Sequence, residues 1–486
     1  MMWLDAIADL FVYKPEKPLI FTDGAFLVLF SAFMLAYTLI WKKEVFRSIY
    51  ITLFGFLFYY LASGGFLFLL LSTITLDFLF SVLIQGTQKP SLRKLWLWSG
   101  ISFSLSFLIY FKYRNFFMEE MAHLTGGGFQ MEQLILPIGI SFYTFQSISY
   151  LVDVYHRKVG VPDFSDYLLY MTFFPHLVAG PIVRARDFLP QLKTPPVINK
   201  SHFNEGLFLI TKGFIKKAVV ADHVSQYSDA VFSAPGSFSG FEHAFSTLCY
   251  TLQIYCDFSG YTDMAIGIAL LMGYRLCLNF DSPYKSTSIT EFWRRWHISL
   301  SSWLRDYIYI PMGGNRKGFV AQLSFLVITM LIGGFWHGAD WKFVFWGVAH
   351  GLLLVLHKLW RRYVVKTDGG FLLSMLGWLT TFCCVALLWI PFRALSFADA
   401  MTIYASFVTY ADPAVLVEIF YSNTVLCTVF LIAAGLIMLP FEWKNKCRDL
   451  YYQTPVALKF IALAFAVQLA IQITDAEVQP FIYFQF

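Results

Sequence analysis

The chain has 486 residues, of which 58% are hydrophobic and 14% charged, and its mean hydropathy is +0.60. A soluble domain carries roughly 25% charged residues, so one large soluble core is excluded and the long apolar stretches are read as facing lipid. The formal net charge of +5 is too small for this length to suggest nucleic-acid binding, and it fits basic residues held on the cytoplasmic side.

Backbone polar groups in lipid must be satisfied within their own segment, which favours helices. The expected fold class is therefore an all-α polytopic membrane protein. A spanning helix needs about 20 mostly apolar residues. In chain order, candidates lie near 24–41, 48–63, 65–85, 95–111, 134–153, 165–180, 205–221, 241–256, 261–274, 319–336, 341–360, 371–391, 421–439 and 456–473. Some are short enough to be re-entrant or interfacial, and about eleven true spans are expected. Before the first candidate stand Asp5, Asp9, Lys14, Glu16 and Lys17. No cleavable signal is expected there, and the first span should act as its own insertion signal.

Basic loops set the orientation. Lys42, Lys43 and Arg47 follow the first candidate, Lys89, Arg93 and Lys94 the third, and His156, Arg157 and Lys158 the fifth. Placing them inside puts the N-terminus outside. Towards the other end, Arg361, Arg362 and Lys366, and then Lys444, Lys446 and Arg448, mark two further inner loops, while residues 392–420 carry only Arg393. The C-terminal tail 474–486 is then expected outside. Without internal repeats or a low-complexity linker, residues 1–486 are expected to form a single integral-membrane domain.

Residues 275–318 interrupt this pattern. They are rich in charge and aromatic rings, punctuated by proline and glycine, and too polar to span exposed to lipid. His297 lies there in Trp293-Arg294-Arg295-Trp296-His297. A helix is predicted through this run, placing His297 on one face with Trp293, Arg294 and Ser301. His337 lies in Gly333-Gly334-Phe335-Trp336-His337-Gly338, at the end of an apolar segment. An imidazole can take a proton from a hydroxyl near neutral pH, so both are candidate catalytic residues. The alternative is a histidine packed in a polar pocket or at the membrane interface.

Arg294, Arg295 and Arg305, with Lys285, Arg316 and Lys317, form a basic stretch. It suits donor phosphates, but the sequence alone favours lipid-headgroup contacts and topology signals. Asp257 and Asp263 are read as orienting a histidine or capping a helix. The Pro175–Pro181 segment predicts a broken helix. The seven cysteines show no C-x-x-C pair, so neither a disulfide nor a cysteine metal site is indicated, and Cys383 and Cys384 are expected to be buried thiols. No metal and no redox cofactor is expected. The apolar tail Phe481–Phe486 either packs on the outer surface or threads into the site.

Three segments carry a resemblance. They are IYCDFSGYTDMAIG (254–267), SITEFWRRWHISLSSWLRDYIYIPMGGNRKG (288–318) and GGFWHGADWKFVFWGVAHG (333–351). Together, within about 136–350, the sequence resembles the bacterial branch of the membrane-bound O-acyltransferase (MBOAT) family. It is similar to the alginate O-acetyltransferases and, more distantly, to the D-alanyl transferases. The resemblance implies a ring of helices around a central tunnel, with a cytoplasmic funnel for the acyl donor and an outer funnel for the acceptor. It implies that His337 is the catalytic histidine and His297 its companion. It implies acyl transfer, with acetyl expected, from acetyl-CoA or another acyl thioester to a cell-envelope or secreted polysaccharide. A separate extracytoplasmic transferase of SGNH type is the expected partner. The tail resembles an aromatic motif on a small partner protein of D-alanylation systems, which makes Tyr483 a candidate acyl carrier. A thiol ionises near about 8.5 and a phenol near about 10, so thioester, phenyl ester and sugar ester run downhill in reactivity. The rival readings are D-alanyl transfer from a carrier-protein thioester and, from a different class, a polysaccharide or lipid transporter.

Overall fold

The computed structural model describes residues 8–364, 370–409 and 412–473. None of these residues forms a strand. Six helical stretches among them are long and apolar enough to cross a membrane: Glu44–Gly86, Pro90–Thr125, Phe319–His337, Trp341–Tyr363, Phe371–Arg393 and Val456–Ile473. A seventh is added if Ala414–Ser422 and Thr424–Met438, bent by 95°, count as one span. The chain is thus an all-α, multi-pass membrane protein. Glu44–Gly86 runs 43 residues, about 64 Å at 1.5 Å per residue, or twice the apolar thickness of a bilayer. It is interrupted where Gly64 takes φ 58°, a conformation glycine adopts without steric cost.

The described residues form two compact units. One runs to Ile210 and takes in Tyr261–Cys277; the other comprises Thr211–Gly260 and the described residues from Leu278 on. In the first unit, Phe33 packs against Phe54 and Phe174, with ring centroids at 4.4 and 5.8 Å, and Phe21 stacks on Tyr261 at 4.5 Å. Offset and edge-on ring pairs of this kind add to the burial of large apolar area. The buried Asp77 accepts from Ser104 at 2.9 Å. The predicted break near Pro175 is present, since Phe164–Thr172 ends before Phe174–Leu177 begins.

Two predicted boundaries differ. The segments 241–256 and 261–274 join into one helix, Gly240–Leu271. Gly260 does not break it but allows close packing: a Cβ there would meet the Gly213 carbonyl oxygen at 2.7 Å. Small residues let membrane helices approach this closely. Asp257 therefore sits mid-helix rather than at a cap. Cys383 is exposed and Cys384 half-exposed, because their helix Phe371–Arg393 turns that face outward.

The core of the second unit is a tight helical hairpin. Asp340 caps Trp341–Tyr363 by accepting from Lys342 N at 2.9 Å. Added Cβ atoms on Gly334 and Gly347 would each lie 2.3 Å from a carbonyl oxygen of the facing helix, Phe343 and Met330 respectively. Lys342 Nζ donates to the Ala394 carbonyl at 2.6 Å, which ties the hairpin to the end of Phe371–Arg393.

Candidate active site

The polar segment folds into short pieces within the second unit. Ser288 caps the helix Ile289–Arg295, which ends at Trp296; a second helix, Ile298–Leu304, follows. His297 stands between them at φ 42°. It does not lie inside a helix, as the sequence pattern predicts, and the shared face with Trp293, Arg294 and Ser301 is not formed. A left-handed residue reverses the chain direction that the periodicity assumes.

The unusual backbone is held by Asn279. Ile298 N donates to the Asn279 carbonyl at 2.9 Å. The Asn279 side-chain oxygen accepts from Ser299 N at 3.2 Å and Ser299 Oγ at 2.9 Å, and it faces His297 Nδ1 at 3.1 Å. A backbone N–H can only donate, so the atom facing Ser299 N is the amide oxygen. His297 Nδ1 must then carry the ring proton, which leaves Nε2 with the basic lone pair. Burial pushes the His297 pKa down to about 3, so the ring is neutral at physiological pH.

His337 is the last residue of Phe319–His337 and is buried. Three rings wall it in: Trp336 at 4.9 Å, Trp346 at 5.2 Å and Phe392 at 5.3 Å. The Trp336 ring also lies 6.1 Å from His297, so one indole touches both histidines. Phe258 meets His297 edge-on at 4.6 Å. Beyond His337, Trp346 stacks on Trp389 at 5.6 Å and packs 4.6 Å from His350. Trp293 Nε1 donates to His350 Nδ1 at 3.3 Å. The result is a run of imidazoles and indoles, His297, Trp336, His337, Trp346 and His350, enclosed in apolar rings. So dense a cluster of rings leaves little room for water and strengthens any charge interaction formed in it.

The other predicted site residues lie elsewhere. Arg294 is exposed. Arg295 pairs with Glu291 at 2.9 Å and faces Asp281 at 3.8 Å; Arg305, 61% exposed, pairs with Asp306 at 2.8 Å. Asp257 does not cap a helix, since it lies inside Gly240–Leu271. It shares Lys217 with Asp222, at 2.7 and 2.6 Å, all three side chains being buried. Tyr483 and the tail 474–486 lie outside the described residues. Sequence reasoning missed Asn279, Trp346 and His350. The last two were readable, since Phe343, Trp346, Gly347, His350 and Gly351 form a helical stripe; nothing local marks Asn279.

The description "MBOAT, membrane-bound O-acyltransferase family" matches residues 138–373, a span that contains every residue of the cluster except Trp389 and Phe392. The chain is 36% identical to a peptidoglycan O-acetyltransferase of Helicobacter pylori over 389 residues, 74% of each chain. It is 38% identical to a probable alginate O-acetylase of Pseudomonas syringae pv. tomato over 406 residues, 81% of this chain and 76% of that one. It is 28% identical to a teichoic acid D-alanyltransferase of Streptococcus thermophilus over 245 residues, 48% of this chain and 59% of that one. Extensive identity of this kind, carried on a multi-pass helical fold, places the chain in the membrane-bound O-acyltransferase family, as an O-acyltransferase.

Proposed function

We propose that this enzyme takes an acetyl group from acetyl-CoA on the cytoplasmic side and passes it across the membrane for O-acylation of a cell-envelope or secreted polysaccharide. The burial of two histidines against a single indole, Trp336, carries the reading. In it, His337 acts as general base and His297 assists. The imidazole accepts the proton of an acceptor hydroxyl while that oxygen attacks the thioester carbonyl carbon. The tetrahedral adduct then collapses, the carbon–sulfur bond breaks, and the thiolate takes the proton back from the imidazolium. Neutral histidine is the form this step requires.

The accepting hydroxyl in this reading is that of Tyr483, followed by transfer through an extracytoplasmic SGNH-type partner to the polysaccharide. The chain then works as a single membrane domain of about eleven spans around a tunnel, with both termini outside and core motifs in 136–350. Arg295 and Arg305 already hold carboxylates, which leaves Arg294 as the arginine available to a donor phosphate. The relatives support acetyl over D-alanyl, since identity to the two acetylating proteins is 36% and 38% and to the D-alanyl transferase 28%. A transporter gives the cluster's histidines no role.

The test is mass spectrometry of the C-terminal peptide after incubation with labelled acetyl-CoA, for the wild type and His337→Ala side by side. Label on Tyr483 that vanishes in the variant is expected. Full transfer by His337→Ala would remove the assignment of the base. An unlabelled wild-type tail would move the accepting hydroxyl to a partner.

A further inference from the structure

We propose that Lys285 and Lys444 form a binding site for a phosphate group. The site lies in the second unit, and Lys285 belongs to the basic stretch that also holds Arg294 and Arg295. Lys285 ends the short turn Pro283–Lys285 and donates to the Leu439 carbonyl. Lys444 donates to the Ile437 carbonyl at 2.8 Å and to Ser282 Oγ at 3.3 Å. Both ammonium groups face one ring, that of Phe441, at 4.7 and 5.9 Å from its centroid. Lys216 donates to Ser259 Oγ at 3.1 Å and lies 5.2 Å from the Tyr255 ring. Tyr255 in turn packs 5.3 Å from Tyr284, the neighbour of Lys285.

These two cations converge on Phe441, and neither Lys285 nor Lys444 has a carboxylate partner among the described residues. Two nearby carboxylates, Glu291 and Asp281, face Arg295 instead. The crowding is felt: burial, then repulsion from Lys285, Lys216 and Lys212, pushes the Lys444 pKa down to about 8. Lys285 is pushed down by burial and by Arg295. Uncompensated like charges repel at this range, and a multiply charged anion with several acceptor oxygens relieves them. Each ammonium brings three donors and no acceptor, which matches a phosphate ester better than a singly charged carboxylate. Charge bias along the chain puts Lys444 on the cytoplasmic side. The phosphate is that of a coenzyme A donor or of an anionic lipid headgroup. The first of these rests on the donor reading above; the site itself does not.

The wild type and Lys285→Gln/Lys444→Gln are placed in nanodiscs of neutral phosphatidylcholine and titrated with coenzyme A. In parallel, both are taken from mixed phosphatidylcholine and phosphatidylglycerol micelles, and retained lipid is read by native mass spectrometry. A loss of coenzyme A affinity of roughly tenfold or more, as expected for charge-assisted hydrogen bonds, assigns the site to the donor. Loss of phosphatidylglycerol retention with coenzyme A affinity unchanged assigns it to a headgroup. Unchanged values for both overturn the proposal. A wild type that binds no coenzyme A, yet retains phosphatidylglycerol through these lysines, sinks the donor reading and leaves the site standing. Lys285→Arg/Lys444→Arg keeps the charges and should behave as wild type. Should the Gln pair not fold, Lys444→Gln alone, at a half-exposed position, carries the test.

Discussion

Gly334 is where a single methyl group should reach the buried histidines. In Gly334→Ala the new Cβ would sit 2.3 Å from the Phe343 carbonyl oxygen and 2.8 Å from Gly347 Cα, whereas ordinary contact begins at 3.4 Å. Both obstacles are backbone, so Phe319–His337 and Trp341–Tyr363 must part by about 1 Å, an overpacking that costs about 1–3 kcal/mol. His337 lies three residues beyond Gly334, and its other walls, Trp346 and Phe392, belong to the facing elements. A displacement of about 1 Å in a reacting group costs roughly 100-fold in rate. Two assays read this: acyl transfer at saturating acetyl-CoA, and thermal unfolding in detergent. The expected result is a rate about 100-fold lower in a protein that still folds, with unfolding a few degrees earlier. Gly435→Ala is the matched control. Nothing lies within 4 Å of a Cβ at Gly435, and alanine is the better helix former by about 1 kcal/mol. Full activity and unchanged unfolding in Gly334→Ala would refute the claim that this close approach sets the position of His337.

Other expectations concern polar groups. Asn279→Leu removes the oxygen that accepts from Ser299 and faces His297 Nδ1; activity should fall at least tenfold, with no change in donor affinity. Asn279→Asp keeps that oxygen and adds a charge that stabilises the imidazolium. The His297 pKa should rise from its depressed value, so activity should be lost at a higher pH on the acid side than in wild type; a pH–rate profile reads the shift. Lys217→Met leaves Asp222 and Asp257 buried without their shared cation. A loss of about 3–5 kcal/mol is expected, read as a large drop in unfolding temperature, and Lys217→Met/Asp257→Leu should recover part of it.

Membrane residence and helical class were determined by the sequence, because hydropathy and the need for internal backbone hydrogen bonds act on each segment alone. The family motifs and the two candidate histidines were legible for the same reason: they are short and contiguous. Segment ends were less so. The candidates 241–256 and 261–274 read as two segments, yet one helix runs through both, and Gly260 within it packs against the carbonyl of Gly213 on another helix. Asp257 reads as a cap and turns out to share a buried lysine.

Only the tertiary structure could decide how His297 is held. Its partner Asn279 lies 18 residues earlier in the chain, and its left-handed backbone defeats the helical spacing that pattern reading assumes. The same holds for the lysines. Lys285 and Lys444 are far apart in sequence and meet over Phe441, while the adjacent arginines that stood out as a basic run are partly spent on local carboxylates. Charge runs are visible along a chain. Whether a charge is neutralised depends on neighbours that folding brings from elsewhere.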